Sequence, residues 1–386
     1  CTTKSQVKLM NFKTEIKKTE YQKKFQSASR EKLALDSELS SKLKNDPAVV
    51  EAAELLKAGE IVALPTETVY GLAADAMNPE AVEKIFKAKG RPQDNPLIVH
   101  IADKSQLREL TAAEIPVKAE KLMERFWPGP LTIIFSKSSK VPAVTSAGLE
   151  TIAVRMPAHP LMLAVIERSG LTLAAPSANT SGFPSPTKAE HVYNDLKGKI
   201  PLILDGGPCH FGVESTVIDI RAEEIKVLRP GGISREEISK FLGEEVILAA
   251  ELKEEQVLSP GMKYRHYAPS KKLYTFNFDE KIFVLNQALK KAEKTKIAII
   301  TARESKVDSE KISDKKIKLL QVFSHAEPEE LAQKLFDLLR KLDADESIEE
   351  IYIEELDTVG IGEAVMNRIF KAAAADQYSQ PGGGSN

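Results

Sequence analysis

Polar and apolar positions settle into clear periods after Asp46. Val49, Val50, Ala53, Leu55 and Leu56 recur at helical spacing, and Gly59 closes the run. The short apolar run Ile61–Leu64 predicts a buried strand. Pro79–Ala88 predicts a helix, with Asn78 as its cap and Gly90 just beyond its end. Leu97–Ile101 predicts another strand. Helices are predicted near 114–125 and 159–168. Strands are predicted at 131–135, 152–156, 171–175, 201–204, 215–220 and 225–228. Several of these strands follow one another with no helix between them. That order predicts a mixed α/β sheet and not a regular βαβ series.

The flanks differ. Residues 1–45 carry Lys13, Lys17, Lys18, Lys23 and Lys24 and are locally basic; they read as a solvated or loosely helical extension. Residues 46–240 hold the main pattern. Residues 241–272 read as a linker, with a charged stretch Glu251–Glu255 and the punctuated segment Ser259–Pro269. A second alternation follows over 273–376. Strands are expected at 297–301, 317–322 and 348–353, and helices at 281–293, 328–342 and 361–374. Its size suits a small α/β domain. Residues 377–386 read as a flexible tail.

Composition narrows the classes. With 42% hydrophobic residues, the 386-residue chain can bury a substantial core. Its 54 basic and 56 acidic residues leave a net charge of -2, so no global field draws it to nucleic acid. The only cysteines, Cys1 and Cys209, make no disulfide framework, and a reducing compartment is expected. No apolar run approaches the ~20 residues of a membrane span. A cytoplasmic location follows as an expectation.

Three stretches offer chemistry. In Leu64–Ala76 a buried strand ends at Pro65 and delivers Thr66, Glu67, Thr68 and Tyr70. These suit a ligand crevice at a strand end, or equally a β-turn with hydroxyl caps. In Ala88–Ile101, Lys89 and Arg91 flank Gly90, and two fixed cations are what phosphate oxygens need. The bland alternative is charge complementing a helix C-terminus. His100 closes the following strand and reads alone as a structural histidine. In Ala174–Thr187, Ser177, Asn179, Ser181 and Ser185 surround Gly182, as a phosphate or ribose lining or as a solvent loop. Arg155 lies inside an apolar strand and requires an anionic partner, either a ligand or a protein carboxylate. Arg229 stands beside the turn Pro230–Gly232. No Cys/His cluster has metal-ligand spacing.

Taken together and in order, Pro65–Leu72 (PTETVYGL), Lys89–Ile101 (KGRPQDNPLIVHI), Ala153–Pro157 (AVRMP), Ala175–Asn179 (APSAN), Ser215–Val217 (STV) and Arg229–Gly231 (RPG) resemble the YrdC-like family. The segment SPGMKYRHYAP and the small domain after it resemble the family's long, two-domain form. The resemblance spans about residues 47–374. It implies a twisted mixed-sheet α/β domain with a concave, positively charged cavity, followed by a small Rossmann-like α/β domain. It implies synthesis of L-threonylcarbamoyl-AMP from L-threonine, bicarbonate or CO2, and ATP, with release of pyrophosphate and with Mg2+ accompanying ATP. Threonylcarbamoyladenosine modification of tRNA, by a separate transferase complex, would follow. By the same matching, Lys89, Arg91, Ser177 and Asn179 form the catalytic set. Arg91, Asn95, Thr151, Ser177, Ser185, Arg229, His266 and Tyr267 hold ATP. Thr68, His100, Arg155, Ala175 (through its backbone) and Ser215 hold threonine. The alternative is an RNA-binding module that uses the basic cavity, with local tRNA contact.

Overall fold

The computed structural model describes residues 12–19, 37–249, 266–277, 292, 295–305 and 316–373. The charged linker stretch Glu251–Glu255, the residues Ser259–Arg265, nearly all of the expected helix 281–293 and the C-terminal tail lie outside the described residues. The chain forms two compact units. The first takes in the described residues up to Ser181 together with Pro186–Cys209. The second takes in Gly182–Ser185 and the described residues from His210 onward.

The first unit holds strands β1 (Glu15–Lys18), β2 (Val62–Leu64), β3 (Gly71–Asp75), β4 (Ile98–His100), β5 (Leu131–Ser136), β6 (Thr151–Arg155), β7 (Leu173–Ala174) and β8 (Leu202–Asp205). They lie in the order β1-β8-β2-β3-β7-β4-β6-β5. Pairing is mixed. β2 runs parallel to β8 and antiparallel to β3, and β4 runs parallel to β6 and antiparallel to β7. Helices start where the sequence supplies caps. The Asp46 side chain accepts from Ala48 N ahead of helix Pro47–Lys57. Asn78 accepts from Glu80 N and Ala81 N ahead of helix Pro79–Lys89, and Gly90 ends that helix at a φ of 64°. Helices Pro47–Lys57 and Pro160–Ser169 pack their apolar faces onto Val62, Leu64, Leu202 and Leu204.

The N-terminal extension departs from its reading as a solvated or loosely helical arm. Glu15–Lys18 is a parallel edge strand on β8, and Thr14 Oγ1 donates to Ile200 O at 2.6 Å. Helix Ser37–Lys44 sends Leu39 and Leu43 into the core. Backbone pairing at a sheet edge overrides the polar composition of EIKK.

In the second unit, β9 (Thr216–Asp219) and β10 (Ile225–Arg229) are antiparallel, and β11 (Val246–Leu248) runs parallel to β10. Four further strands, β12 (Lys272–Phe276), β13 (Lys296–Ala302), β14 (Ile317–Phe323) and β15 (Ile348–Glu354), form a parallel sheet in the order β12-β15-β13-β14. β13 is buried at every position except Lys296, as a parallel strand covered on both faces requires. Helices Pro328–Ala344 and Ile361–Ala373 supply the apolar cover.

Candidate active site

In the first unit the turn after β2 is tied to the loop after β7. Leu72 N donates to Pro176 O and Ala178 N to Tyr70 O, both at 2.8 Å. A Cβ on Gly71 would stand 3.2 Å from the Ala175 methyl, so glycine permits this approach. The Tyr70 hydroxyl donates to Gly207 O at 2.7 Å and accepts from Gly206 N. Pro65–Leu72 and Ala175–Asn179 are therefore two sides of one construction.

Arg155 is buried at the end of β6, and all three of its guanidinium nitrogens are engaged. Nη2 donates to Glu67 Oε1 at 2.6 Å, Nη1 to Thr68 Oγ1 at 2.9 Å, and Nε to Gly129 O at 3.1 Å. Of the two partners open to Arg155, the structure supplies the protein carboxylate. Thr66 spends its hydroxyl proton on Val69 O. At the 2.8 Å Thr66–Thr68 contact, Thr68 is then the donor, which leaves Thr68 only acceptor capacity. Glu67 Oε2 is buried and has no hydrogen-bond partner. This cluster presents acceptors to a ligand.

His100 faces Arg155 across the β4–β6 pairing. Burial and the Arg155 charge push its pKa down to about 3, so the imidazole is neutral near pH 7, and Nδ1 lacks a partner. Lys89 is buried, and its ammonium donates to the Ser177 and Asn179 carbonyls and, at 3.3 Å, to Asn179 Oδ1. The Ser177 hydroxyl donates to the same Oδ1 at 2.5 Å. Lys89 thus pins the loop that carries Ser177 and Asn179. The half-buried Arg91 donates to Asn95 O and Pro96 O at 3.1–3.4 Å. Asn95 is 1% exposed, and neither side-chain amide atom has a partner. A buried amide left open on both sides is costly unless a ligand satisfies it. Thr151 is buried at the start of β6, opposite Ser136. Ala175 donates its N–H to Ile98 O.

The second unit gathers the other expected residues. Arg229 donates to the Ser215 carbonyl at 2.9 and 3.1 Å and to its hydroxyl at 3.1 Å. A Cβ on Gly231 would meet Thr216 N at 2.2 Å and Glu214 O at 2.4 Å, so Arg229–Gly231 and Ser215–Val217 pack backbone on backbone. Ser185 Oγ donates to Glu214 Oε1 at 2.5 Å, and Glu214 Oε2 accepts from Arg368 Nε at 2.7 Å. Burial opposes ionisation of Glu214, but Arg368 and Arg229 outweigh it and hold the carboxyl below its usual range. Tyr267 stacks on Phe336 with ring centroids 5.5 Å apart, has its ring 5.4 Å from Arg368 Cζ, and adopts a left-handed φ of 66°. His266 is buried beside it.

A family model described as Telomere recombination matches residues 54–231, and one described as Threonylcarbamoyl-AMP synthase, C-terminal domain, matches 233–374. A threonylcarbamoyl-AMP synthase of Bacillus subtilis is 47% identical over 336 residues, covering 85% of this chain and 94% of the relative. The solved Pyrococcus abyssi Sua5 complexed with L-threonine is 45% identical and superposes with a TM-score of 0.77. That match covers 85% of this chain and 95% of the other.

The chain belongs to the threonylcarbamoyl-AMP synthase family.

A shorter threonylcarbamoyl-AMP synthase, from Vibrio vulnificus, is 36% identical over 97% of its own length but covers only 47% of this chain. The family motifs read from the sequence fall into the two clusters just described. Three polar residues of those clusters had no role from the sequence, whereas Glu67 stood there among the residues suited to a ligand crevice. Glu214 immediately precedes the motif Ser215–Val217 and lies outside it. Arg368 and Lys371 lie on a C-terminal helix whose apolar stripe holds Ala364, Val365, Ile369 and Ala372. An arginine inside such a stripe is itself a signal, because burial demands a partner.

Proposed function

We infer that this chain condenses L-threonine, bicarbonate or CO2, and ATP into L-threonylcarbamoyl-AMP, releasing pyrophosphate. The observation that carries the reading is the family match, which runs through both halves of the chain at 47% identity. The threonine amine attacks the carbon of CO2 and loses a proton, giving a carbamate. A carbamate oxygen then attacks the α-phosphorus as the bond to the pyrophosphate oxygen breaks. No protein nucleophile is required.

The first unit's acceptor-rich cluster suits the amino acid. Glu67 Oε2 and the remaining lone pair of Thr68 receive the amine hydrogens, while Arg155 holds both acceptors in place. Neutral His100, and Ala175 through its backbone, complete this side, with Ser215 assigned to threonine by its motif. Ser177 and Asn179, pinned by Lys89, and Arg91 with Asn95 are assigned to the nucleotide. Thr151, Ser185, Arg229, His266 and Tyr267 share that assignment. Mg2+ enters with the ATP phosphates, where it neutralises charge on the departing pyrophosphate. Among the described residues no group of three His, Cys, Asp or Glu side chains is placed to hold a metal.

The product's mixed carbamic–phosphoric anhydride is an activated acyl donor, consumed by a transferase complex acting on tRNA. The setting this implies is cytoplasmic; among the described residues no helix is long and apolar enough to cross a membrane. The reading as an RNA-binding module is not favoured, since the acceptor-rich cluster suits an ammonium and not a phosphate.

The test is pyrophosphate release from ATP. Release is expected only with both threonine and bicarbonate present, and release indifferent to either sinks the reading. Lys89→Ala or Arg91→Ala is expected to lower turnover more than tenfold with the fold retained by circular dichroism. Glu67→Gln is expected to raise the KM for threonine at least tenfold while changing that for ATP less than twofold.

A further inference from the structure

Residues Gly182–Ser185 lie in the middle of the main sequence pattern, yet they fold with the second unit. Three contacts hold them there. Ala268 N donates to Gly182 O at 2.9 Å. Arg340 Nη2 donates to Pro184 O at 2.5 Å. Ser185 is fully buried and gives its hydroxyl proton to Glu214, whose other oxygen accepts from Arg368. Arg340 and Arg368 stand on the two helices of the small α/β domain, and Arg340 is 156 positions from Pro184.

Helix Pro328–Ala344 explains how Arg340 reaches the loop. A Cβ on Gly212 would stand 2.2 Å from Ala332 O, so the helix backbone rests directly on that glycine. Phe336 stacks on Tyr267 one turn later, and Arg340 meets Pro184 one turn after that. Positions 332, 336 and 340 share one helix face. That face touches Tyr267 and the loop of Ser185, two places assigned to the nucleotide.

We propose that Arg340 is a positioning residue for ATP, and that the small α/β domain acts on the reaction by fixing Gly182–Ser185 in the shape that binds the nucleotide. The inference rests on the reading of Ser185 and Tyr267 as nucleotide-binding residues, and adds a residue that the family motifs did not assign. Arg340 takes a main-chain carbonyl, so it reads the path of the loop and not a side chain. Pro184 and Pro186 flank Ser185 and narrow its backbone to extended conformations. Gly182, at a φ of 92°, is the pivot ahead of this stiff segment. Holding Pro184 O therefore holds Ser185, one residue on, against Glu214.

The experiment is calorimetric titration of the full-length protein with ATP, with L-threonine as a parallel titrant. Wild type, Arg340→Met, Arg340→Ala, Arg340→Lys and Lys341→Met are compared. Lys341 pairs with Asp337 along the same helix and is 66% exposed, so it controls for the loss of one charge. Arg340→Met and Arg340→Ala are each expected to weaken ATP binding about tenfold, the worth of one charge-assisted hydrogen bond, with threonine affinity within twofold of wild type. Arg340→Lys keeps a donor at that place and is expected to bind ATP within about threefold of wild type. Lys341→Met is expected to match wild type. ATP affinity within twofold of wild type in both Arg340→Met and Arg340→Ala overturns the proposal. So does an equal loss of ATP and threonine affinity, which is what a loosened fold produces, and so does a tenfold loss in Lys341→Met. Threonine-dependent pyrophosphate release by wild type reports separately on the proposed function, so the two can fail independently.

Discussion

The two polar clusters have opposite surpluses. Around Arg155 every guanidinium nitrogen is spent on protein, and what is left over is an acceptor, Glu67 Oε2. Around Arg368 the Glu214 carboxylate is spent on both sides, by Ser185 and Arg368, and what is left over is a donor, Nη2. The first cluster is built to receive hydrogens, as an amino acid's ammonium offers. The second has a hydrogen to offer. A count of cations in the sequence does not reveal this, because Arg155 and Arg229 look alike as arginines near strand ends. The difference lies in which partner each has already taken.

The largest expected effect comes from breaking the closed pair. Arg155→Met leaves Glu67 buried without its cation, and removing one member of a buried pair costs roughly 3–5 kcal/mol. Denaturant unfolding should show that loss, and threonine-dependent turnover should fall more than a hundredfold. A stability loss under about 1 kcal/mol would mean the cluster is not closed and would erase the contrast. The double substitution Arg155→Met with Glu67→Gln sharpens it, since recovering most of the stability would show that the stranded carboxylate was the cost.

Much of this fold was legible because apolar runs such as Leu131–Phe135 and Ile152–Met156 leave few alternatives to a covered strand. β3 was not, because GLAAD consists largely of small residues with weak β preference; it is a strand through its pairing with β2 and β7. β1 was hidden by its charges. Within the sites, the residue types were legible from the motifs, but the partners were not. Glu214 and Arg368 are separated by 154 positions and Glu67 and Arg155 by 88. No local period connects residues that far apart, so only the tertiary fold decides whether Arg155 meets a ligand or Glu67.

The second cluster holds its arginine by backbone contact, and that can be broken with one methyl. Gly231→Ala places a Cβ 2.2 Å from Thr216 N, an overlap that only backbone movement relieves. Overpacking of this kind costs roughly 1–3 kcal/mol. Gly170→Ala is the control: its φ of 71° is strained for alanine, yet nothing lies within 4 Å of the added methyl. The expected pattern is a KM for ATP raised in Gly231→Ala and unchanged in Gly170→Ala. Equal effects would show that backbone strain alone, and not the seating of Arg229 on Ser215, was being measured.

The smallest effect per unit of change is in pH, and it bears on the first cluster. His100 titrates near 3 when folded, against about 6.5 in an unfolded chain, because burial and Arg155 both oppose its charged form. Between those values the unfolded chain binds the extra proton, so His100 favours unfolding progressively as pH falls below 6.5. The slope reaches at most about 1.4 kcal/mol per pH unit. His100→Gln removes that titration. Its stability should therefore fall less steeply than wild type between pH 6.5 and 5, while the two run parallel above pH 7.5. Parallel curves throughout would mean that His100 takes its proton in the fold as readily as in water. Arg155 would then no longer be the one cation at that strand end, and the acceptor character of the cluster would lose its support.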